Sequence, residues 1–326
     1  MIVMGTPSWR AGQTLQRLEL AVPEPGPGEV RVGVHSIGVN PVDWKMRESG
    51  PLRLAARFLS FFIGPKPPVV IGVDFAGIVE AVGAGVQSCK VGDRVVGGTN
   101  FSRGQRGSYA DTVLVRADQV CLLEDSVSME VAACLPVAGV TAHMALHDYT
   151  KVGPKSKVLV LGASGGVGQF AVQLAKRVIG VGTVAGVCSS KNAGLVTDLG
   201  ADIVFAYDQV DPLQAALAHG PYDLVVDGVG SYAGSACRKL LAPGGTHVMI
   251  AGDKPSNMMQ IFIPPFRSKA ILGTPDGAHL APLVQAVAHG LLKVNIAHRL
   301  HLLDAEEAHA LSKSSRIVGK IVLAAR

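Results

Sequence analysis

Residues Lys157–Lys176 read KVLVLGASGGVGQFAVQLAK: a short apolar run, a cluster of glycines, then a helical pattern. Val158, Leu159, Val160 and Leu161 form the continuous apolar run of a buried strand. Val167, Phe170, Ala171, Leu174, Ala175 and Val178 recur at the spacing of one helix face. Gly162, Gly165, Gly166 and Gly168 lie between the two. So tight a passage from strand to helix calls for glycine, because the backbone bends sharply and a pyrophosphate must come close to the positive end of the helix. Where the usual fingerprint starts with glycine this chain has Ala163, but the flanking strand and helix supply the context the pattern requires. Ser164, Gly165, Gly166 and Val167 are therefore candidate dinucleotide contacts.

A chain of 326 residues is long enough for two domains, of which a dinucleotide-binding domain would take about half. With 48% hydrophobic and 17% charged residues it is a globular chain rather than a disordered one. Its most apolar run, Phe58 to Ile63, is far short of the roughly 20 residues of a spanning helix, so no transmembrane segment is expected. The first residues, MIVMGTPSWR, lack an apolar signal core. The net charge of +5 is dispersed, which argues against a nucleic-acid partner. Five cysteines, at 89, 121, 134, 188 and 237, form no close pair, which suits a reducing compartment and leaves no paired zinc ligands. His143 and His147 share a helix face, yet no acidic or Cys ligand pattern surrounds them; no metal is expected.

Residues 1 to 125 read as short strands punctuated by glycines, a compact barrel-like domain. One loop, GVNPVDWKMRESG, breaks the pattern. Asn40 suits a helix N-cap, Pro41 the first helical position, and Asp43 stands three residues after the cap. Trp44 and Lys45 then project from the first turn as an aromatic plate beside a cation. Spacing leaves open whether Lys45 meets a ligand or is a surface lysine. From Ser126 the pattern turns helical, and Thr141 is the lone hydroxyl in LPVAGVTAHMAL, either bonded to its own backbone or in contact with a cofactor. Strands Thr183 to Cys188, Ile203 to Tyr207, Asp223 to Asp227 and His247 to Ile250 alternate with helical segments. This rhythm implies a doubly wound parallel sheet with ligands beyond its carboxyl ends. The terminal SRIVGKIVLAAR is a strand with no neighbour of its own and is expected to pair back into the first domain. The nucleotide domain, 126–270, is then inserted into a first domain of 1–125 plus 271–326. A cleft between the domains is the default place for a substrate.

The second strand bears on the cofactor. An NAD site usually places an acid about 20 residues after the glycine turn, to accept from the ribose 2′-hydroxyl. Here that position is Cys188-Ser189-Ser190-Lys191, and the next acid in sequence is Asp198. Ser189 and Lys191 can donate to a 2′-phosphate, so NADPH is the expected cofactor.

The pieces GVNPVDWK, VGDRVVG, LPVAGVTA, GASGGVG, CSSKN followed by LGAD, and the terminal GKIVL resemble the zinc-free quinone oxidoreductase branch of the medium-chain dehydrogenase/reductase superfamily. The likeness extends over nearly the whole chain. NPVDWK together with LSKS and GKIVL is most similar to the chloroplast-envelope quinone oxidoreductase homologue and its enone-reductase relatives. The resemblance implies a GroES-like catalytic domain carrying an inserted Rossmann domain. It also implies hydride transfer from NADPH to the C=C bond of α,β-unsaturated ketones or aldehydes, or to quinones. The implied cofactor contacts are Asn40, Lys45, Thr141, Asn192, Tyr207 and Gly252 besides those above, and Lys45 is the implied catalytic donor. Zinc enzymes of the superfamily carry Cys where this chain has Asn40 to Val42, and GHE where it has Gly72-Val73-Asp74; those ligands are missing here. The loop departs from many quinone reductases, which have tyrosine at Trp44-Lys45, so the acceptor stays open between enone and quinone. A monomer or homodimer with a small apolar substrate is implied, cytoplasmic or in the chloroplast, with peripheral membrane contact allowed. The alternative is a non-catalytic NADPH-binding protein, as lens crystallins of the branch illustrate.

Overall fold

The computed structural model describes residues 1–10, 12–48, 51–62, 66–250, 259–264, 266–271 and 273–325. The chain forms two compact units, Met1–Val137 with Thr274–Ala288 and Ile296–Arg326, and Ala138–Gly273 with His289–Asn295. The first unit thus runs to Val137 rather than to 125. Its extra stretch is anchored by the helix Met129–Ala132 and by the Val137 N–H, which donates to Asp74 Oδ1 at 2.9 Å. His289–Asn295 joins the second unit for an equally local reason. Gln173, fully buried, exchanges two 2.8 Å hydrogen bonds with the Lys293 backbone, and Gln169 Oε1 accepts from Asn295 N–H at 2.8 Å.

The first unit contains β1 (Ile2–Thr6), β2 (Gln16–Glu19), β3 (Glu29–Val39), β4 (Val69–Val70), β5 (Asp74–Val82), β6 (Arg94–Gly98), β7 (Thr112–Arg116) and β8 (Val120–Leu122). From the end of the chain it takes β15 (Ile296–His301) and β16 (Lys320–Ala324). One sheet runs β2-β1-β4; the larger runs β15-β16-β3-β5-β6-β8, with β7 also paired to β3. Val30, Val32 and Val34 of β3 are fully buried on one face of the strand, with Arg31 between them partly exposed and Gly33 buried. The C-terminal strand does pair back: β16 lies antiparallel to β3, with Ile321 opposite Val39 and Leu323 opposite Ile37. Burial of Ile321, Val322 and Leu323 drives this pairing, since the segment is apolar on both faces.

The second unit is a six-stranded parallel sheet of β9 (Lys157–Leu161), β10 (Thr183–Cys188), β11 (Ile203–Ala206), β12 (Tyr222–Asp227), β13 (Leu241–Met249) and β14 (Ser268–Ala270). Its order is β11-β10-β9-β12-β13-β14, so the chain reverses direction across the sheet between β9 and β12. Ligands bind outside the carboxyl ends of the strands at such a switch point. Helix Gly166–Gln173 follows β9 and continues through a wide turn at Leu174–Ile179. Phe170, Ala171, Leu174 and Ala175 are buried as their spacing predicts, but Val178 is 43% exposed. The wide turn adds a residue per turn and rotates Val178 off the buried face.

Among the described residues no helix is long and apolar enough to cross a membrane. The apolar run at 58–62 closes the helix Pro51–Phe62, on which Leu54, Phe58 and Phe62 are exposed.

Candidate active site

In the second unit the glycine turn has the geometry its sequence requires. Gly162 lies at φ +78°, where a side chain is strained, and a Cβ on Gly168 would fall 2.1 Å from the Gly162 carbonyl oxygen. Helix and turn can meet this closely only with glycine at both places. The Gly165 N–H is used inside the turn, donating to Gly162 O at 2.9 Å. Gly166 and Val167 open the helix, where first-turn amides have no intrahelical acceptor and suit an anion. Ser164, beside them, accepts through Oγ from Asn192 Nδ2 at 3.3 Å. The loops after β9 and β10, far apart in sequence, are thus joined at the sheet's carboxyl end.

After β10, Ser189 is 6% exposed and its Oγ is buried without a hydrogen-bond partner. Such an atom is costly unless something bonds it. Ser190–Asn192 form a single short turn with Lys191 exposed. The structure adds an acid that sequence spacing did not show. Asp208, two residues after β11, accepts from Ser190 N–H at 2.8 Å and from Ser190 Oγ at 2.7 Å. These two bonds, with Lys191 nearby, hold the Asp208 carboxyl below its usual range. Asp208 arrives from the end of the third strand, outside any spacing measured along the second. Tyr207, 56% exposed, ties β11 to β10 through its N–H to Cys188 O at 3.0 Å. It edges a depression of about 550 Å³ shared with Asp208, Asp211 and Tyr232. Thr141 is 3% exposed on the helix Val140–His147, and a Cβ on Gly273 would fall 2.4 Å from its Oγ1. Gly252 lies outside the described residues. His143 and His147 stack with ring centroids 4.2 Å apart.

In the first unit, the expected helix runs Pro41–Arg47 with Asn40 at the N-cap. Asp43 Oδ2 accepts from the Asn40 N–H at 2.8 Å, the reciprocal half of a capping box. The Asn40 side chain itself is spent elsewhere. It is 2% exposed; Nδ2 donates to Asp74 Oδ2 at 2.8 Å, and Oδ1 accepts from Lys320 Nζ at 2.5 Å. Lys320, 3% exposed, also reaches Val39 O at 3.2 Å and Asp74 Oδ2 at 3.5 Å. Asn40 thus positions the helix start, and both its amide atoms are already engaged in this network. Sequence reading missed Lys320, although a lysine heading the apolar KIVLA is a visible signal.

A second buried chain runs beneath the helix. Tyr109 Oη donates to Asp43 Oδ2 at 3.2 Å and meets His309 Nε2 at 3.1 Å. All three residues are fully buried. Burial pushes Asp43 up to about 7 and Asp74 upward, and takes His309 down to about 3. Above this layer, Lys45 Nζ lies 5.5 Å from the centroid of the Trp44 ring, whose Nε1 donates to Ser312 Oγ at 3.1 Å. The tryptophan is pinned at one edge and gives the ammonium a face to lie on.

Comparison with known proteins places these features. Residues 26–125 match the alcohol dehydrogenase GroES-like domain, and residues 199–323 match the zinc-binding dehydrogenase family. The chain is 34% identical to the chloroplastic quinone oxidoreductase QR1 of Triphysaria versicolor, over 95% of this chain and 93% of that one. Among solved structures it resembles a quinone oxidoreductase from Coxiella burnetii with a TM-score of 0.88 and 28% identity, covering 100% of this chain and 99% of that one. A mycobacterial protein in complex with NADPH gives a TM-score of 0.81 and 27% identity, with both chains covered in full.

Proposed function

This chain belongs to the quinone oxidoreductase branch of the medium-chain dehydrogenase/reductase superfamily, and on that premise we propose that it reduces an α,β-unsaturated ketone or aldehyde, or a quinone, with NADPH and without a metal in the hydride step. It is an oxidoreductase by family; the finer reading rests on its own residues. The observation that carries it is the buried, unpartnered Ser189 hydroxyl beside exposed Lys191, after the strand where an NAD site would present its acid.

The residues fit NADPH. Ser189 and Lys191 can donate to a 2′-phosphate, and the Gly166 and Val167 amides can donate to a pyrophosphate. Thr141, Asn192 and Tyr207 are further candidate contacts. When bound, the cofactor supplies the hydride. In conjugate reduction that hydride goes to the β-carbon and negative charge gathers on the carbonyl oxygen, where a preorganised donor lowers the barrier. We assign that donor to the Lys45 ammonium, set by the Asn40-Pro41 helix start and the face of Trp44. Asp74 supports a step without metal. It stands where zinc enzymes carry their glutamate, and here its carboxylate is neutralised by Lys320.

The test is NADPH oxidation with matched panels of enones and quinones, repeated with NADH and after chelator treatment. Turnover that is faster with NADPH and indifferent to chelator is expected. Tight NADPH binding with no turnover of any acceptor would instead favour a non-catalytic binding protein.

A further inference from the structure

Three side chains of the second unit converge where no sequence spacing would place them. Asp227 ends β12, His247 lies in β13, and Cys237 belongs to the helix Gly234–Lys239. Parallel pairing sets Val225 beside His247 and Asp227 beside Met249. Side chains alternate along a strand, so residues 225, 227 and 247 point to one face of the sheet. Cys237 packs in the core cluster that contains Val225. One donor atom from each of Asp227, Cys237 and His247 lies within 4.8 Å of the other two, and all three residues are fully buried.

Two of the three are held at one end and unpartnered at the other. Asp227 Oδ1 accepts from the N–H groups of Val229 at 3.0 Å and Gly230 at 2.9 Å. Its Oδ2 has no partner. His247 Nδ1 meets Ser268 Oγ at 3.3 Å, while its Nε2 has no partner. With the proton on Nδ1, donated to Ser268, the Nε2 lone pair faces Asp227 Oδ2 across 3.7 Å. In that tautomer two lone pairs face each other in a buried site, and a cation between them satisfies both. A proton on Nε2, in the neutral ring or the imidazolium, would draw the carboxylate to about 2.7–2.9 Å, well inside the 3.7 Å seen. A water could bridge two of the groups but would leave the sulfur unused. A nitrogen and an oxygen about 2.0–2.2 Å from a tetrahedral zinc ion stand roughly 3.3–3.5 Å apart, so the 3.7 Å separation has only a few tenths of an ångström to close.

We propose that Asp227, Cys237 and His247 bind one divalent cation of borderline softness, zinc in the first instance, as a structural site with water as the fourth ligand. One carboxylate and one thiolate balance the +2 charge, so the buried site is neutral. The Cys237 proton leaves to solvent as the sulfur–metal bond forms, and nothing is oxidised or reduced. The Nδ1 bond to Ser268 is the outer contact that orients a metal-binding histidine. The site would brace the loop after β12, which abuts the glycine turn: a Cβ on Gly162 would fall 2.8 Å from Val229. This site is separate from the proposed hydride step, and turnover does not decide it.

The full chain, purified from zinc-replete cells without chelator, is assayed for metal before and after unfolding. About one zinc per chain, kept through chelator dialysis because the site is buried and released on unfolding, is the expected result. Cys237→Ser and His247→Gln should each bring zinc below about 0.2 per chain. Chain grown in cobalt should show a thiolate-to-cobalt charge-transfer band that Cys237→Ser lacks. Folded parent protein without metal overturns the proposal, whatever the variants do. So does stoichiometric zinc that persists in both variants, since it would then lie elsewhere.

Discussion

Ser190 grips Asp208 twice, with its backbone N–H on one carboxylate oxygen at 2.8 Å and its hydroxyl on the other at 2.7 Å. A negative charge thus stands beside Ser189 and Lys191, the donors assigned to a 2′-phosphate. Asp208 should temper the NADPH preference those donors create. Its Asn variant should bind NADPH roughly two- to fivefold more tightly, with little change for NADH, as fits an exposed and screened charge. Fluorescence titrations with both cofactors at low and high salt read this out. An unchanged NADPH/NADH ratio would remove Asp208 from the site.

Lys191→Ala should act in the opposite direction. Losing a charge-assisted phosphate contact weakens NADPH binding by about ten- to a hundredfold, while NADH affinity barely moves. The same titrations decide it. Equal affinities of the parent protein for the two cofactors would contradict the assignment at once.

Lys45→Met keeps the aliphatic stem over Trp44 and removes the donor. If the ammonium stabilises developing charge on the carbonyl oxygen, kcat falls by about a hundredfold with an unchanged melting temperature. Uniform binding would show in KM instead. A variant within about threefold of the parent on both an enone and a quinone returns Lys45 to a lysine resting on a tryptophan.

Asp43 and His309 make opposed contributions to stability against pH. Asp43, raised from 3.8 to about 7 by burial, binds its proton more tightly in the folded state; its contribution is full below pH 3.8 and is lost as pH rises to about 7. His309, lowered from 6.5 to about 3 by burial, contributes fully above pH 6.5 and loses this as pH falls toward 3. Between about pH 4 and 6.5 the two slopes cancel. Asp43→Asn removes one of the slopes opposing His309, the buried Asp74 supplying another, so stability should change with pH more positively than in the parent across that window. His309→Gln should make it fall instead. Urea unfolding at pH 4, 5 and 6.5 measures each slope against the parent, and a His309→Gln profile identical to the parent's would show that His309 is not buried as a neutral ring.

The glycine turn, the parallel sheet and the return of the last strand were legible because each is a local requirement written in consecutive residues. Gly162 must bend, Val158 to Leu161 must be buried, and Ile321 to Leu323 cannot face water. The start of the helix at Pro41 was equally local, since Asn40, Pro41 and Asp43 signal it within four positions. What sequence could not give is partnership across long separations. Ser190 meets Asp208 only because β10 and β11 lie side by side, and Asn40 meets Lys320 only because the last strand pairs with the third. Asp227, Cys237 and His247 are spaced along the chain like ordinary core residues, and only sheet register and a covering helix aim them at one point. Local sequence determined which elements form and where they turn. Tertiary structure decided which charges meet, because burial and pairing act between residues that no spacing rule connects.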